Sequence, residues 1–452
     1  MRDMALIVQK YGGTSVATPE KVIEAARQIL AARADGHEVV AVVSAMGGTT
    51  DRLLQLASSV SDQPDPAQLD ALLTTGEAVS AALLSMALNR QGAASRSFSG
   101  AEAGIRTDDR HGRATIQQVD PRRLKEDLCR GAIPVVAGFQ GEAGAGGPCT
   151  TLGRGGSDTT GVALAAALGA DHCEIVTDVA GVYTADPRKV AGARRHTALL
   201  YEEMAELAVS GAKVLAADSV DYARTHGVDL KVRANHTARG PETWVGYRRR
   251  AAAMAVPGDS WTPAGLDEIP AIAGVATRTG LVRCVLRRIT ADHAVRILRG
   301  LAEREIEVEL RRYGNLGTED ASDVAITLPA ESVEEARTLL AEADGETRLG
   351  EVHWTSNLAR LSVVGLGIGL LPGSPPRLLD ALRSVGAART DLLVTSNRLS
   401  VLTGESGLTE ATQSVHDAFV HEPAAPRIDT TPLWAADRRQ LSAGVPALAA
   451  AD

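Results

Sequence analysis

Thr150-Thr-Leu-Gly-Arg-Gly-Gly-Ser-Asp-Thr-Thr160 drives a glycine-rich turn straight into Asp158–Leu168, an alanine-rich stretch that reads as a helix. A short apolar strand, Glu174–Thr177, follows it. The same grammar extends toward the N-terminus. Ala5–Val8 is an apolar run broken by Gly12-Gly13. Thr18-Pro19-Glu20 has the composition of a helix start, and Val22, Ile23, Ala26, Ile29 and Leu30 follow at helical spacing. Val39–Val43 reads as a buried strand turned by Gly47-Gly48, helical patterns cover 50–60 and 67–90, and Ile133–Ala137 is a further strand. Downstream, Glu202–Val209 and Lys213–Arg224 read as helices and Val228–Val232 as a strand. Strand–helix alternation of this kind predicts an α/β three-layer sandwich with a mainly parallel sheet over residues 1–248.

Residues 249–268 break the pattern with an Arg-Arg-Ala run and two prolines, and read as a linker. A weak repeat of about 75 residues follows, each copy reading βαββα and needing one more strand to complete a βαββαβ unit. The copies span 269–345 and 350–421. The first places strands at Leu281–Leu286, Ile306–Leu310 and Val324–Leu328, with helices at Asp292–Ala302 and Val333–Ala341. The second places strands at Leu361–Leu366, Asp391–Val394 and Leu399–Leu402, with helices at Pro376–Val385 and Thr409–Phe419. Residues 422–452, rich in Ala and Pro, read as a loosely ordered tail.

Composition narrows the function. With 452 residues, several domains are expected. Net charge is -9 with no basic tract, and aromatics are 3%, which argues against nucleic acid as a partner. Cys129, Cys149, Cys173 and Cys284 show no metal-ligand spacing, so no metal site is expected and a cytoplasmic setting is the natural one. Met1-Arg-Asp-Met runs directly into the first strand without the pattern of a secretion signal. No run of about 18 apolar residues occurs, so no membrane span is expected.

Several turns carry anion chemistry. Lys10-Tyr-Gly-Gly-Thr-Ser15 joins a point charge to amides that can approach an anion closely; a tight turn with a surface lysine is the alternative. Ser44, Thr49 and Thr50 offer hydroxyls after the second strand, as ligand contacts or as a helix cap. Glu77 lies among Leu72, Leu73, Val79 and Leu83, where an unpaired carboxylate is costly and an ammonium ligand would suit it; the alternative is a solvated helix face. In the 150–160 segment Arg154 supplies a planar fork for a carboxylate, and Ser157 and Asp158 read as caps of the next helix. Thr177-Asp-Val-Ala-Gly-Val-Tyr-Thr-Ala-Asp-Pro-Arg188 reads either as a nucleotide contact or as a structured loop, and Lys213 as a phosphate contact or a surface lysine.

Taken in order, Lys10–Ser15, Val43-Ser-Ala-Met-Gly47, Gly76-Glu77, Gly138-Phe-Gln-Gly141, Thr150–Thr160, Thr177–Arg188 and Gly211-Ala-Lys-Val-Leu215 resemble the aspartate kinases of the amino-acid kinase family. The C-terminal repeat resembles that family's paired ACT sensor domains. The resemblance implies ATP with Mg2+, and attack by the β-carboxylate of L-aspartate on the γ-phosphorus to give 4-phospho-L-aspartate. It implies Lys10 and Asp158 as catalytic residues. Ser44, Thr50, Glu77, Arg154 and Ser157 would bind aspartate. Gly12, Gly13, Thr14, Thr177, Asp178, Tyr183, Asp186, Arg188 and Lys213 would hold the nucleotide. A homodimer or higher homo-oligomer through the ACT-like units is also implied.

The sequence departs from the family in three places. Ala216-Ala217-Asp218 stands where the family carries a bulky or basic residue. Ile289-Thr-Ala-Asp-His293 lacks the Pro and Gly of the family's effector turn, and Tyr313-Gly314 replaces a Gln-Asn pair. The first change predicts a lost contact at the nucleotide or the domain interface, and the other two predict weakened feedback by lysine or threonine. Two alternatives stand beside the leading one: a carboxylate kinase with a different amino-acid substrate, and a non-catalytic regulatory homologue. The second would be expected to lack Lys10, Arg154 or Asp158, and all three are present.

Overall fold

The computed structural model describes residues 5–235, 240–247, 272–313, 322–347, 351–387 and 389–420. The expected linker (249–268) and tail (422–452) lie outside them.

The first strand, β1 (Leu6–Tyr11), pairs in parallel with β2 (Glu38–Val43) on one side and β9 (His172–Thr177) on the other. The sheet continues through β6 (Ile133–Ala137) to β3 (Ser95–Phe98), and through β11 (Leu230–Ala234) to β12 (Glu242–Val245) and β10 (Ala198–Leu199). Only β12 and β10 run against the rest. Alternation along the strands sends side chains to two cores. Val8, Val40, Val42 and Val136 pack toward α5 (Gly156–Leu168), α6 (Tyr201–Val209) and α7 (Ala217–His226). Tyr11, Val39, Ala41, Val43 and Val135 pack toward α1 (Pro19–Ala34) and α3 (Pro66–Arg90). Both faces are therefore covered, as a parallel sheet requires, and the three-layer sandwich is the observed architecture.

Local signals account for most boundaries. Thr18 accepts from the Lys21 amide and Pro19 opens α1, so the predicted helix start is the observed one. α2 (Thr49–Val60) lies on the surface with no buried residue, and α4 (Arg122–Cys129) packs beneath β6. α3 is long and apolar enough to cross a membrane by length and composition. Half of its apolar window is buried inside the fold, however, and it carries the buried carboxylates Asp70 and Glu77. A small second sheet, β5 (Ile116–Val119), β4 (Ile105–Thr107), β7 (Gln140–Ala143) and β8 (Cys149–Thr151), leads the chain into the 150–160 segment.

The C-terminal repeat forms one antiparallel sheet in the order β14-β15-β13-β16-β18-β17. Its long strands are β13 (Gly274–Ile289) and β16 (Val352–Val364). The others are β14 (Glu309–Tyr313), β15 (Ser322–Pro329), β17 (Arg389–Val394) and β18 (Arg398–Gly404). Four helices, α8 (Ala291–Glu303), α9 (Val333–Thr347), α10 (Ser374–Ser384) and α11 (Leu408–Phe419), complete it. The strand each repeat lacked is supplied by the other copy. Gly274–Arg278 pairs with Arg360–Val364 and so extends the second unit, while Val352–Leu358 pairs along Leu281–Leu286 and extends the first.

Among the boundaries that differ from the sequence expectation, three place a candidate residue or a repeat strand differently. β1 runs on to Tyr11, because its ladder with Val42, Val43, Ile175 and Val176 continues past Val8. The helix expected from Lys213 begins at Ala217, which leaves Lys213 in the preceding loop. The strand expected at Ile306–Leu310 begins at Glu309. Glu305 takes a left-handed φ of 56° after α8, and Ile306 folds back to the Leu301 carbonyl and into the core.

Candidate active site

In open parallel sheets, ligands bind beyond the carboxyl ends of the strands. Here β1 delivers Gly12-Gly13 to that edge, β2 delivers Ser44, β6 delivers Gly138 and β9 delivers Thr177. The turns are tied together. The Gly12 amide donates to the Val176 carbonyl at 3.2 Å, Ser44 N–H to Tyr11 O at 3.1 Å, and Gly47 N–H to Gly13 O at 3.0 Å.

Lys10 shares a face of β1 with Val8, the face covered by α5. Its ammonium pairs there with the Asp158 carboxylate, both side chains almost buried. α5 can come this close because Gly161 lies against the Lys10 side chain. The helix is capped by Gly155, at φ 76°, and makes no side-chain cap. Ser157 and Asp158 therefore occupy the first turn and are not the expected caps, which frees Asp158 for Lys10. Ser157 lies over Gly138: a Cβ there would stand 2.8 Å from Ser157 Oγ, so only glycine leaves room for the hydroxyl. Gly155 sits against Ala216, whose Cβ would be 2.2 Å from any Cβ at 155. The small Ala216 thus packs directly under the turn that carries Arg154.

Glu77 is only 3% exposed. Its Oε1 accepts from the Ala45 amide at 3.0 Å, and its Oε2, fully buried, has no hydrogen-bond partner. Burial pushes this carboxyl up to about 7. The solvated-face alternative for Glu77 is thereby removed. Thr50 lies half-buried in the first turn of α2, whose cap is Gly48; Thr49 donates to Met46 O at 2.6 Å. A cleft of about 360 Å³ between α2 and α3 is lined by Ala17, Met46, Thr49, Arg52, Leu53, Thr75, Gly76 and Val79, and Glu77 is not part of its lining. Arg154 is exposed, and among the described residues it makes no ion pair. A groove of about 630 Å³ between α10 and α11 lies on the other unit and holds none of these residues.

The 177–188 stretch forms a loop at the end of β9. Thr177 donates to Asp178 at 3.1 Å, and Asp178 is exposed. Asp186 accepts from Arg188 through Nε at 3.0 Å and Nη2 at 3.1 Å, and this pairing holds its carboxyl below the usual range. Arg188 therefore belongs first to Asp186. Tyr183 is half-buried and bridges Arg195, and Lys213 and Thr14 are exposed. The loop is also gripped from the C-terminal unit. Gln413 exchanges two hydrogen bonds with the Ala191 backbone, and His416 Nε2 lies 2.9 Å from Thr184 Oγ1.

Sequence reasoning missed Asp70. It is 1% exposed and gathers donors from the 108–115 loop and from Thr151. A signal was present: a second carboxylate on the same apolar helix, seven residues before Glu77 and so on the same face.

The fold and this edge define a class: an α/β protein that gathers cations and amides for anionic ligands. Comparison with known proteins agrees. The family model described as "Amino acid kinase family" matches residues 5–234. The chain is 39% identical over 424 residues to the aspartokinase of Corynebacterium glutamicum, covering 92% of this chain and 96% of that one. It is 39% identical over 420 residues to the aspartokinase of Mycobacterium tuberculosis, with the same coverage. The crystal structure of E. coli aspartokinase III in complex with aspartate and ADP superposes with a TM-score of 0.73 at 24% identity, over 92% of this chain and all of that one, which establishes the shared fold. The chain belongs to the amino acid kinase family and, within it, to the aspartokinases.

Proposed function

We propose that the chain phosphorylates the β-carboxylate of L-aspartate with ATP and releases 4-phospho-L-aspartate, with the residues of this sheet edge in the following roles. The nucleophile is a carboxylate, already ionised at neutral pH, so no general base is required. Rate enhancement then rests on positioning and on neutralising charge. Lys10 stabilises charge on the transferred phosphoryl group, with the Gly12 and Gly13 amides beside it and Asp158 fixing its ammonium. Glu77 takes the substrate ammonium and Arg154 the α-carboxylate, while Ser44, Thr50 and Ser157 supply hydrogen bonds. Thr14, Thr177, Asp178, Tyr183, Asp186, Arg188 and Lys213 form the nucleotide side.

One observation carries this reading. The buried Glu77 Oε2 has no partner and Arg154 has no ion pair among the described residues, so a cation-seeking and an anion-seeking group are left for a ligand bearing both charges. The donor set also bears on magnesium. Among the described residues no three His, Cys, Asp or Glu side chains converge, and magnesium would be carried chiefly on phosphate oxygens and water. When bound, that ion neutralises phosphate charge. A cytoplasmic setting fits four cysteines that are all free thiols. Self-association through the C-terminal units fits the open edges of β14 and β17.

The test is ATP turnover with aspartate, trapping the acyl phosphate as a hydroxamate. Aspartate-dependent hydroxamate is the expected result; well-folded protein that makes none refutes the reading.

Weakened feedback is part of the proposal. Between β13 and α8 the turn is closed by Thr290, whose Oγ1 accepts the His293 amide at 3.3 Å. An amide of the kind that would meet an effector is already engaged, and Gly314 lies outside the described residues. Lysine or threonine is expected to change velocity by less than about fivefold, the lower end of ordinary allosteric coupling. Stronger inhibition by either, in a titration of purified enzyme, removes this part.

A further inference from the structure

We infer that Asp70 is a positioning residue for aspartate binding: it clamps the strand that carries the Arg154 turn onto the same helix that presents Glu77. The inference rests on the proposed roles of Arg154 and Glu77. Asp70 and Glu77 are two turns apart on α3, about 10 Å along its axis, and both point to its buried face.

The Asp70 carboxylate faces two backbone amides, a hydroxyl and an imidazole nitrogen. Oδ1 accepts from Thr151 Oγ1 at 2.6 Å and from the Gly112 amide at 3.1 Å. Oδ2 accepts from the Thr151 amide at 3.2 Å, again from Gly112 at 3.2 Å, and lies 2.7 Å from His111 Nδ1. Thr151 ends β8, three residues before Arg154. The clamp is doubled by the neighbouring loop, because the Ala114 amide donates to Thr151 O at 2.8 Å. One buried carboxylate therefore ties helix, loop and strand together. Arg154 itself is exposed, so its reach toward a carboxylate is set by where its backbone is held. Charge is essential to the clamp. An asparagine would turn its NH₂ group toward the Thr151 and Gly112 amides, which can only donate.

Asp70→Asn is expected to raise the KM for aspartate about tenfold, the loss of a charge-assisted hydrogen bond. kcat at saturating aspartate and the KM for ATP should change by less than about threefold. Hydrogen exchange should quicken in 150–156 and 108–115. A purely structural residue would disturb both substrates and kcat together. Should Asp70→Asn fail to fold, Thr151→Val removes one donor at nearly constant shape and should show the same split more weakly. Arg154→Ala is measured in parallel. If Arg154→Ala raises the aspartate KM while folded Asp70→Asn and Thr151→Val leave it unchanged, the clamp is refuted and the Arg154 role stands. If Arg154→Ala leaves it unchanged, the Arg154 role falls and the clamp with it.

Discussion

Lys10→Ala is expected to lower kcat by about 10²–10³-fold, the usual cost of removing one electrostatic contact to a transition state. The residue that pairs with it complicates the measurement. Lys10 and Asp158 are both nearly buried, so removing the ammonium leaves an uncompensated carboxylate. That defect alone destabilises by about 3–5 kcal/mol in buried pairs. A double variant, Lys10→Met with Asp158→Asn, replaces the pair by neutral groups of similar volume. It should recover most of the melting temperature and none of the activity. Lys10→Ala with near-normal turnover would remove Lys10 from the mechanism. Recovery of activity in the double variant would show that Lys10 only balances Asp158.

Glu77→Gln is expected to raise the KM for aspartate by about a hundredfold, because a buried charged contact to the ammonium is lost. Its wild-type counterpart is a pH profile. Burial holds the free-enzyme carboxyl up at about 7. Only the ionised form attracts an ammonium, so that form prevails above this value and is lost below it. kcat/KM for aspartate should therefore fall about tenfold per pH unit on the acid side of 7 and level off above it. Bound substrate favours the charged form, so kcat itself should hold to lower pH than kcat/KM does. Glu77→Gln should flatten the acid limb. A wild-type kcat/KM constant between about pH 6 and 8 would contradict the assignment, as would a Gln variant with normal aspartate KM.

Much of this was legible in the chain because it is local. Thr18-Pro19 specifies a helix start through φ and a cap, and Ile133–Ala137 can only be a strand buried on both faces. The turns at 10–15, 43–50 and 150–160 declare themselves through glycine, lysine and arginine. Glu77 was readable as an anomaly, an acid in an apolar helix. The interlocking of the repeat was not readable in this way. Each βαββα copy lacked a strand, and the answer lay in the excess length of β13 and β16, which serve both copies. Strand length beyond the apolar run is set by a hydrogen-bonded neighbour.

What the sequence by itself determined is the α/β class, the doubled C-terminal unit, and the residue types able to handle a phosphate and an amino acid. Which of them act on one another was decided by tertiary structure alone. Asp158 read from the residues as a cap and by resemblance as a catalytic group; its direct pairing with Lys10 arises because Gly155 caps the helix and strand alternation aims Lys10 at α5. Asp186 and Arg188 looked like two ligand groups and are first of all partners of each other. Asp70 went unremarked until Thr151, 81 residues later, arrived at its carboxylate. Capping, periodicity and turn chemistry are properties of neighbours in sequence. The pairing of buried charges depends on distances that exist only once the sheet has closed.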